Sequence, residues 1–183
     1  MISAALLAGG RSLRMGRDKC LIEIDGTPLW QRQLALLSTL STDIMVAAPN
    51  RPEWCPANAQ WLPDRVTNCG PLAGLEAALT ASSHTRVLLL AVDLPDMTGS
   101  YLRHLVAQTS DICGVVPVID DLFQPLSAIY PQAALPAVTR HLAEPDKSMQ
   151  RLLRELALDG TMKSIPVPSA ELGIFRNLNS PQD

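Results

Sequence analysis

Residues 6–19 read LLAGGRSLRMGRDK, an apolar segment that runs directly into a glycine-rich, basic loop. Paired glycines after a strand let backbone N–H groups approach an anion closely, because no Cβ stands in the way. Four cationic side chains of the same loop add positive charge: Arg11, Arg14, Arg17 and Lys19. A loop of this composition suits a nucleoside triphosphate.

Two better-known phosphate loops do not fit this stretch. Gly10 and Gly16 are too far apart for a Walker A loop, and no Lys-Ser or Lys-Thr follows Gly16. The G-x-G-x-x-G pattern of dinucleotide folds is missing as well. A basic surface loop without a ligand is the plain alternative, but the added segments Arg14-Met15-Gly16 and Asp18-Lys19 favour an anion site.

Length and charge restrict the remaining choices. The chain has 183 residues, 47% of them hydrophobic, which is enough for one well-filled core and short for two, so we expect a single domain over residues 1–183. The formal net charge of −3 gives no overall attraction to nucleic acid or to an anionic membrane. The positive charge is instead local to the first loop, as a small anionic ligand requires.

Cysteine usage and the first residues predict a cytoplasmic location. The four cysteines are scattered and form no C-x-x-C pair of the kind that structural zinc sites use. The first apolar run stops at Gly9, too early for a signal peptide or a membrane span.

Hydrophobic periodicity predicts alternating strands and helices. We expect strands at 3–7, 43–48, 60–62, 86–92, 114–118, 126–130 and 163–167, and helices at 28–37, 71–79, 100–108, 135–142 and 148–158. The 86–92 run is almost wholly apolar, as in a central strand covered on both faces. This order predicts a three-layer, doubly wound α/β fold with a mostly parallel sheet and helices on both faces. The Asp120-Asp121 turn is the expected exposed loop.

Distinctive residues follow the ends of several predicted strands, where ligands bind in open parallel sheets. They are Gly9, Gly10, Asn50, Asp64 and Asp93. A carboxylate directly after a buried strand must be solvated, capped or metal-bound. Since one carboxylate with phosphate oxygens and water is the usual Mg²⁺ arrangement, Asp93 is the predicted metal ligand. The alternative is a cap for a helix near Pro95.

Other polar and glycine positions carry less information. Gly74 lies inside a helical pattern, which indicates either a ligand close to that backbone or dense packing on the sheet. We expect surface or capping roles for His84, His104 and His141, whose spacing forms no catalytic or metal-binding arrangement.

The pattern LAGGxSxRMGxDKxL at residues 7–21, with GxPL at 26–29, resembles the opening of the molybdenum cofactor guanylyltransferase (MobA) family, within the wider nucleotidyltransferase group. Later motifs resemble that family in order and spacing: GPLAGL at 70–75, DxP at 93–95, QPL at 124–126 and FxNxNxP at 175–181. The resemblance therefore covers essentially the whole chain, and it implies a Rossmann-like nucleotidyltransferase fold.

The resemblance implies transfer of GMP from GTP to the terminal phosphate of molybdopterin, with release of pyrophosphate. It implies that catalysis uses Arg14, Lys19 and Asp93, with Mg²⁺ on Asp93. It also implies GTP binding by the following set: Leu7, Ala8, Gly9, Gly10, Lys19, Asn50, Asp64 and Asp93. Asn177 and Asn179 would lie on the pterin side.

Two rival functions compete with this interpretation, and the resemblance also implies a set of partners. A related nucleotidyltransferase could use CTP or a sugar-phosphate acceptor, although the Gly9-Gly10 pair favours GTP because related cytidylyltransferases usually have Ala-Gly there. A guanine-nucleotide-binding module without turnover is the second rival. The expected partners are GTP and molybdopterin, with transient contact to proteins that deliver molybdopterin or receive the finished cofactor, and neither nucleic acid nor a membrane.

Overall fold

The computed structural model of the chain describes residues 1–9, 19–63 and 69–178. Its main sheet contains eight strands within those residues, in the spatial order β10-β7-β9-β6-β1-β4-β5, with β8 paired to β7. The strands of this sheet are β1 Ser3–Leu7, β4 Asp43–Ala47, β5 Gln60–Leu62, β6 Arg86–Ala91, β7 Gly114–Ile119, β8 Leu122–Phe123, β9 Ser127–Pro131 and β10 Met162–Pro166. A separate hairpin pairs β2 Glu23–Ile24 with β3 Thr27–Pro28.

Five α-helices cover the two faces of the sheet within the described residues. They are α1 Leu29–Ser38, α2 Pro71–Ala81, α3 Gly99–Ala107, α4 Leu135–Ala143 and α5 Met149–Leu158. Side chains of α1 and α3 share one buried cluster, and those of α2, α4 and α5 share the other. Residues of β1 alternate between the clusters, so that Leu6 packs on the first face and Leu7 on the second. The predicted three-layer arrangement is confirmed.

The predicted elements all appear, with ends displaced by at most two residues. The short hairpins β2–β3 and β7–β8 were not predicted, because two-residue strands carry no readable alternation. Asp120 and Asp121 form the exposed β7–β8 turn, both with positive φ (47° and 61°). β9 is antiparallel to both β6 and β7, whereas β1, β4, β5 and β6 are mutually parallel. No described helix has the length and apolar character needed to cross a membrane.

The surface role expected for His141 is wrong. This side chain is fully buried between α4 and α5, and its Nε2 lies 2.8 Å from Oε2 of Glu155. Arg140 pairs with the other oxygen of the same carboxylate. The sequence pattern predicts that this polar side chain faces solvent. The hydrogen bond to Glu155 on α5 instead offsets the cost of burying the imidazole.

Glu155→Gln should remove an acid-sensitive part of the stability. Hydrogen bonds from His141 and Arg140 hold the pKa of Glu155 below its usual 4.5. A carboxyl group with a depressed folded-state pKa stabilises the fold above the unfolded pKa and loses that contribution as the pH falls through the folded value. Urea unfolding should therefore show a lower free energy of unfolding for Glu155→Gln at pH 7, with the difference shrinking below pH 4.5. A difference that stays constant with pH would contradict this assignment.

Gly114→Ala should destabilise the sheet. An ideal Cβ at Gly114 would overlap the Ile129 carbonyl oxygen and Met162 Sδ, and would lie 2.7 Å from Pro131 Cδ. Since one of these neighbours is backbone of a central strand, we expect the free energy of unfolding to fall by about 1–3 kcal/mol. Gly173→Ala is the matched control, because its Cβ would meet no described atom within 4 Å beyond its own helical turn. Equal denaturant midpoints for the two variants would refute the steric argument.

Candidate active site

Three parallel strands end level with one another at one edge of the sheet. Leu7, the last residue of β1, pairs with Ala47 of β4 and with Ala91 of β6. The ladder continues one step further, since the Ala8 amide donates to the Ala47 carbonyl (3.0 Å) and the Val92 amide donates to the Leu7 carbonyl (3.2 Å). The residues that follow these three strands therefore lie at a common edge of the sheet. They include the predicted site residues Gly9, Asn50 and Asp93.

Lys19 and Asp93 meet at this edge. The Lys19 Nζ lies 3.2 Å from Oδ2 of Asp93, although 74 positions separate them in the chain. The two side chains keep 23% and 25% of their exposed area, so both can reach a ligand from solvent. Thr98 caps α3 by accepting a hydrogen bond from the Tyr101 amide, so the alternative role of Asp93 as the cap of that helix is wrong.

The loops that follow β1 and β4 approach one another closely. An ideal Cβ at Gly9 would lie 3.0 Å from Cδ of Pro49, so glycine permits this approach with the least displacement. The exposed Asn50 follows Pro49 directly. The Ala8 carbonyl accepts a hydrogen bond from the Cys20 thiol at 3.5 Å. This bond ties the turn that carries Lys19 to the end of β1.

Gly74 serves packing. An ideal Cβ there would lie 2.5 Å from Cδ2 of Leu7 and 3.4 Å from Cβ of Ala47. The absence of a side chain therefore lets α2 lie directly on the ends of β1 and β4. Of the two explanations offered by the sequence, dense packing on the sheet is the one that the geometry supports.

Contacts from two distant parts of the chain hold residues 93–96. The Leu178 amide donates to the Asp93 carbonyl at 2.9 Å, and Arg176 pairs with Asp96 through Nε at 3.1 Å and Nη2 at 3.0 Å. The buried Gln33 of α1 donates to the Leu94 carbonyl at 2.5 Å. Sequence reasoning missed Leu178, Arg176 and Gln33 as contacts of residues 93–96. An amide such as Gln33 on the apolar face of a helix was the one available signal.

The segment that carries Arg176 is anchored by aromatic packing. The Phe175 ring stands edge-on to Tyr101 of α3, with centroids 5.3 Å apart. Burial, with the nearby Glu171 carboxylate, raises the pKa of Tyr101 to about 12. Its phenol therefore stays protonated at neutral pH and acts as a packing group.

The remaining predicted site residues divide into two groups. Asn177 is exposed and directly precedes Leu178, whose amide bonds to the Asp93 carbonyl. Four predicted residues lie outside the described part of the chain: Gly10, Arg14, Asp64 and Asn179.

At this edge of the sheet the described residues offer a metal the carboxylate of Asp93. Across residues 1–9, 19–63 and 69–178, no group of three or more His, Cys, Asp or Glu side chains is placed to hold an ion. A closed zinc or calcium site needs such a group, whereas Mg²⁺ is commonly held by one or two carboxylates with substrate phosphates and water. Asp93, carboxylate and part-exposed, fits the second arrangement.

Comparison with known proteins places the chain among NTP transferases. Residues 4–161 match the family model described as "MobA-like NTP transferase domain". A protein of Opitutus terrae named "Probable molybdenum cofactor guanylyltransferase" is 33% identical over 186 residues, which cover 100% of this chain and 92% of that protein. The "Molybdenum cofactor guanylyltransferase" of Pseudomonas fluorescens is 32% identical, covering 98% of this chain and 90% of its own.

A solved structure shares the fold. A crystal structure of "Molybdopterin-guanine dinucleotide biosynthesis protein A" from Archaeoglobus fulgidus superposes with a TM-score of 0.77 at 23% identity. The superposition covers 100% of this chain and 94% of that one. At this level of identity the similarity concerns the fold, including the mixed sheet and its helical layers.

Proposed function

The chain belongs to the MobA-like NTP transferase family, and from that premise we propose that it transfers GMP from GTP to the terminal phosphate of molybdopterin. The products would be pyrophosphate and molybdopterin guanine dinucleotide. The observation that carries this proposal is the full-length similarity to proteins named as guanylyltransferases for the molybdenum cofactor. The pairing of Lys19 with Asp93 at the carboxyl edge of β1 and β6 supports it independently.

In this proposal the backbone after β1 binds the nucleoside. Leu7, Ala8 and Gly9 would contact guanine and ribose through peptide groups, with Gly10 continuing the same loop. Asn50, which follows β4 beside Gly9, and Asp64 would complete the nucleoside contacts. Peptide groups are fixed donors and acceptors, so they can distinguish the edges of two bases without side-chain rearrangement.

Lys19 and Arg14 would bind the phosphates. Both reactants are anionic, so charge repulsion and alignment dominate the barrier, and cationic side chains lower it by holding the phosphates in place. Lys19 stands 3.2 Å from Asp93, close enough to reach the phosphates of a nucleotide that the Asp93 side also contacts.

A divalent cation, Mg²⁺ in this proposal, would be held by Asp93. When bound, it would neutralise charge on the phosphate oxygens and help to align them. Asp93 supplies the one carboxylate that such a site needs, and Lys19 beside it would bind the phosphates.

The transfer itself needs no covalent intermediate on the protein. A terminal phosphate oxygen of the acceptor attacks the α-phosphorus of GTP, and the bond from that phosphorus to the pyrophosphate oxygen breaks. The acceptor is already an anion at neutral pH, so no side chain has to remove a proton from it. Asn177 and Asn179 would orient the acceptor on the pterin side.

A donor and acceptor panel tests the proposal. The purified protein, with Mg²⁺, is given GTP, CTP or UTP together with molybdopterin or a sugar phosphate, and dinucleotide and pyrophosphate are measured. We expect products from GTP with molybdopterin. Turnover with CTP or with a sugar phosphate instead would favour the related nucleotidyltransferases, and GTP binding without product would favour a binding module.

Two further expectations belong to the same proposal. The protein would work in the cytoplasm, and it would contact, transiently, the proteins that deliver molybdopterin or receive the finished cofactor.

A further inference from the structure

Residues 93–96, here called the Asp93 segment, leave the sheet immediately after the last ladder bond. That bond joins the Val92 amide to the Leu7 carbonyl. Beyond it, the position of the Asp93 backbone depends on contacts from outside the sheet. The Asp93 segment is therefore the point at which tertiary contacts can alter the geometry of the proposed metal ligand.

Residues 175–178, here called the C-terminal segment, supply two of those contacts. The Leu178 amide bonds to the Asp93 carbonyl itself, and the Arg176 guanidinium pairs with Asp96 at the other end of the Asp93 segment. Gln33 holds the carbonyl between them from the helical layer. The C-terminal segment thus contacts both ends of the Asp93 segment, while Gln33 holds the Leu94 carbonyl between them.

The C-terminal segment is itself well anchored. Phe175 and Leu178 each keep 7% of their exposed area and belong to the buried cluster that includes Tyr101. Arg176 and Asp96 are 58% and 42% exposed, so their ion pair contributes little to global stability. The buried Phe175 and Leu178 side chains fix the C-terminal segment, and the exposed Arg176–Asp96 pair between them is suited to positioning residues 93–96.

We propose that Leu178 and Arg176 are positioning residues for Asp93, acting through the Leu178 amide and the Arg176–Asp96 ion pair to hold this carboxylate toward Lys19 and a bound metal–nucleotide. The inference rests on the proposed function, because it assigns the C-terminal segment a role in the donor half of the same site. It adds to the acceptor-side role proposed for Asn177: one short segment would contact the acceptor and hold the metal ligand.

The sharpest test replaces Leu178 by its α-hydroxy acid, which removes the N–H group and keeps the side chain. Partners that orient a metal ligand typically account for 10- to 100-fold in affinity or activity. We expect the Kd of Mn²⁺ in the presence of GTP, measured by electron paramagnetic resonance, to rise about tenfold, and kcat to fall by about the same factor. Leu178→Met is the matched control, since it keeps the N–H group and nearly the same volume, and it should leave both values near those of the unmodified protein.

A charge exchange provides a second test on the surface, where folding is not at risk. Arg176→Asp should weaken Mn²⁺ binding in the presence of GTP roughly threefold, because two carboxylates then face each other. Adding Asp96→Arg should restore most of the loss. Leu172→Ala, on an exposed residue of the preceding turn, should change nothing.

The outcomes separate this inference from the proposed function. Unchanged Mn²⁺ affinity in both the Leu178 ester and Arg176→Asp would overturn the positioning role. A protein that forms no dinucleotide, yet loses Mn²⁺ affinity in these variants, would instead overturn guanylyl transfer and leave the positioning role standing.

Discussion

Asp93→Asn should lower guanylyl transfer at saturating Mg²⁺ by about 10³-fold or more. A bound cation contributes several kcal/mol to stabilisation of the transferring phosphate, and each 1.36 kcal/mol corresponds to a factor of ten in rate. Asp93 is the carboxylate that meets Lys19 at the edge of the sheet, and the described residues around it form no cluster that could replace it. The loss should appear in kcat, measured as pyrophosphate release with GTP and molybdopterin.

The Asp93 variant should remain folded. The side chain is a quarter exposed and its ion pair lies near solvent, so the free energy of unfolding should change by less than about 1 kcal/mol. Asp120→Asn is the matched control: it makes the same chemical change at an exposed turn with a positive φ, a conformation that asparagine adopts readily. A folded Asp93→Asn protein with the turnover of the unsubstituted protein would exclude Asp93 as the metal ligand.

Lys19→Ala should lower kcat/KM for GTP by about 10²-fold, as expected for one preorganised charge that stabilises a developing anion. Lys19 lies 3.2 Å from Asp93, next to the loop that emerges from β1, so its ammonium group can reach both the metal side and the phosphate side. Initial rates over a range of GTP concentrations, at fixed Mg²⁺ and acceptor, measure the effect.

Lys163→Ala is the appropriate comparison for Lys19. Lys163 is exposed on β10, an edge strand of the sheet, and its ammonium group donates to Gln108. Its removal changes net charge equally and should leave kcat/KM unaltered. If both lysine variants retained full activity, Lys19 would have no role in phosphate binding. The double variant Lys19→Ala, Asp93→Asn should lose less activity than the product of the two single losses, because both side chains act on one step.

Local patterns were sufficient for the architecture. Apolar runs such as residues 86–92 predict buried strands, α1 follows from apolar residues at helical spacing, and α2 follows from its proline start and Ala/Leu content. Both the element order and the layer arrangement are confirmed. The two-residue strands and the burial of His141 were missed. A two-residue strand has no period to detect, and a buried histidine is recognisable only once its partner on the neighbouring helix is known.

The sequence by itself determined the α/β class, the strand ends that carry the candidate site residues, and the family, because burial, turns and motif spacing are properties of neighbouring residues. The tertiary structure alone decided which strand ends meet, that Lys19 touches Asp93 across 74 positions, and that Leu178 and Arg176 reach residues 93–96. Such contacts depend on the spatial order of the strands and on how the chain returns over them, and no local periodicity encodes either.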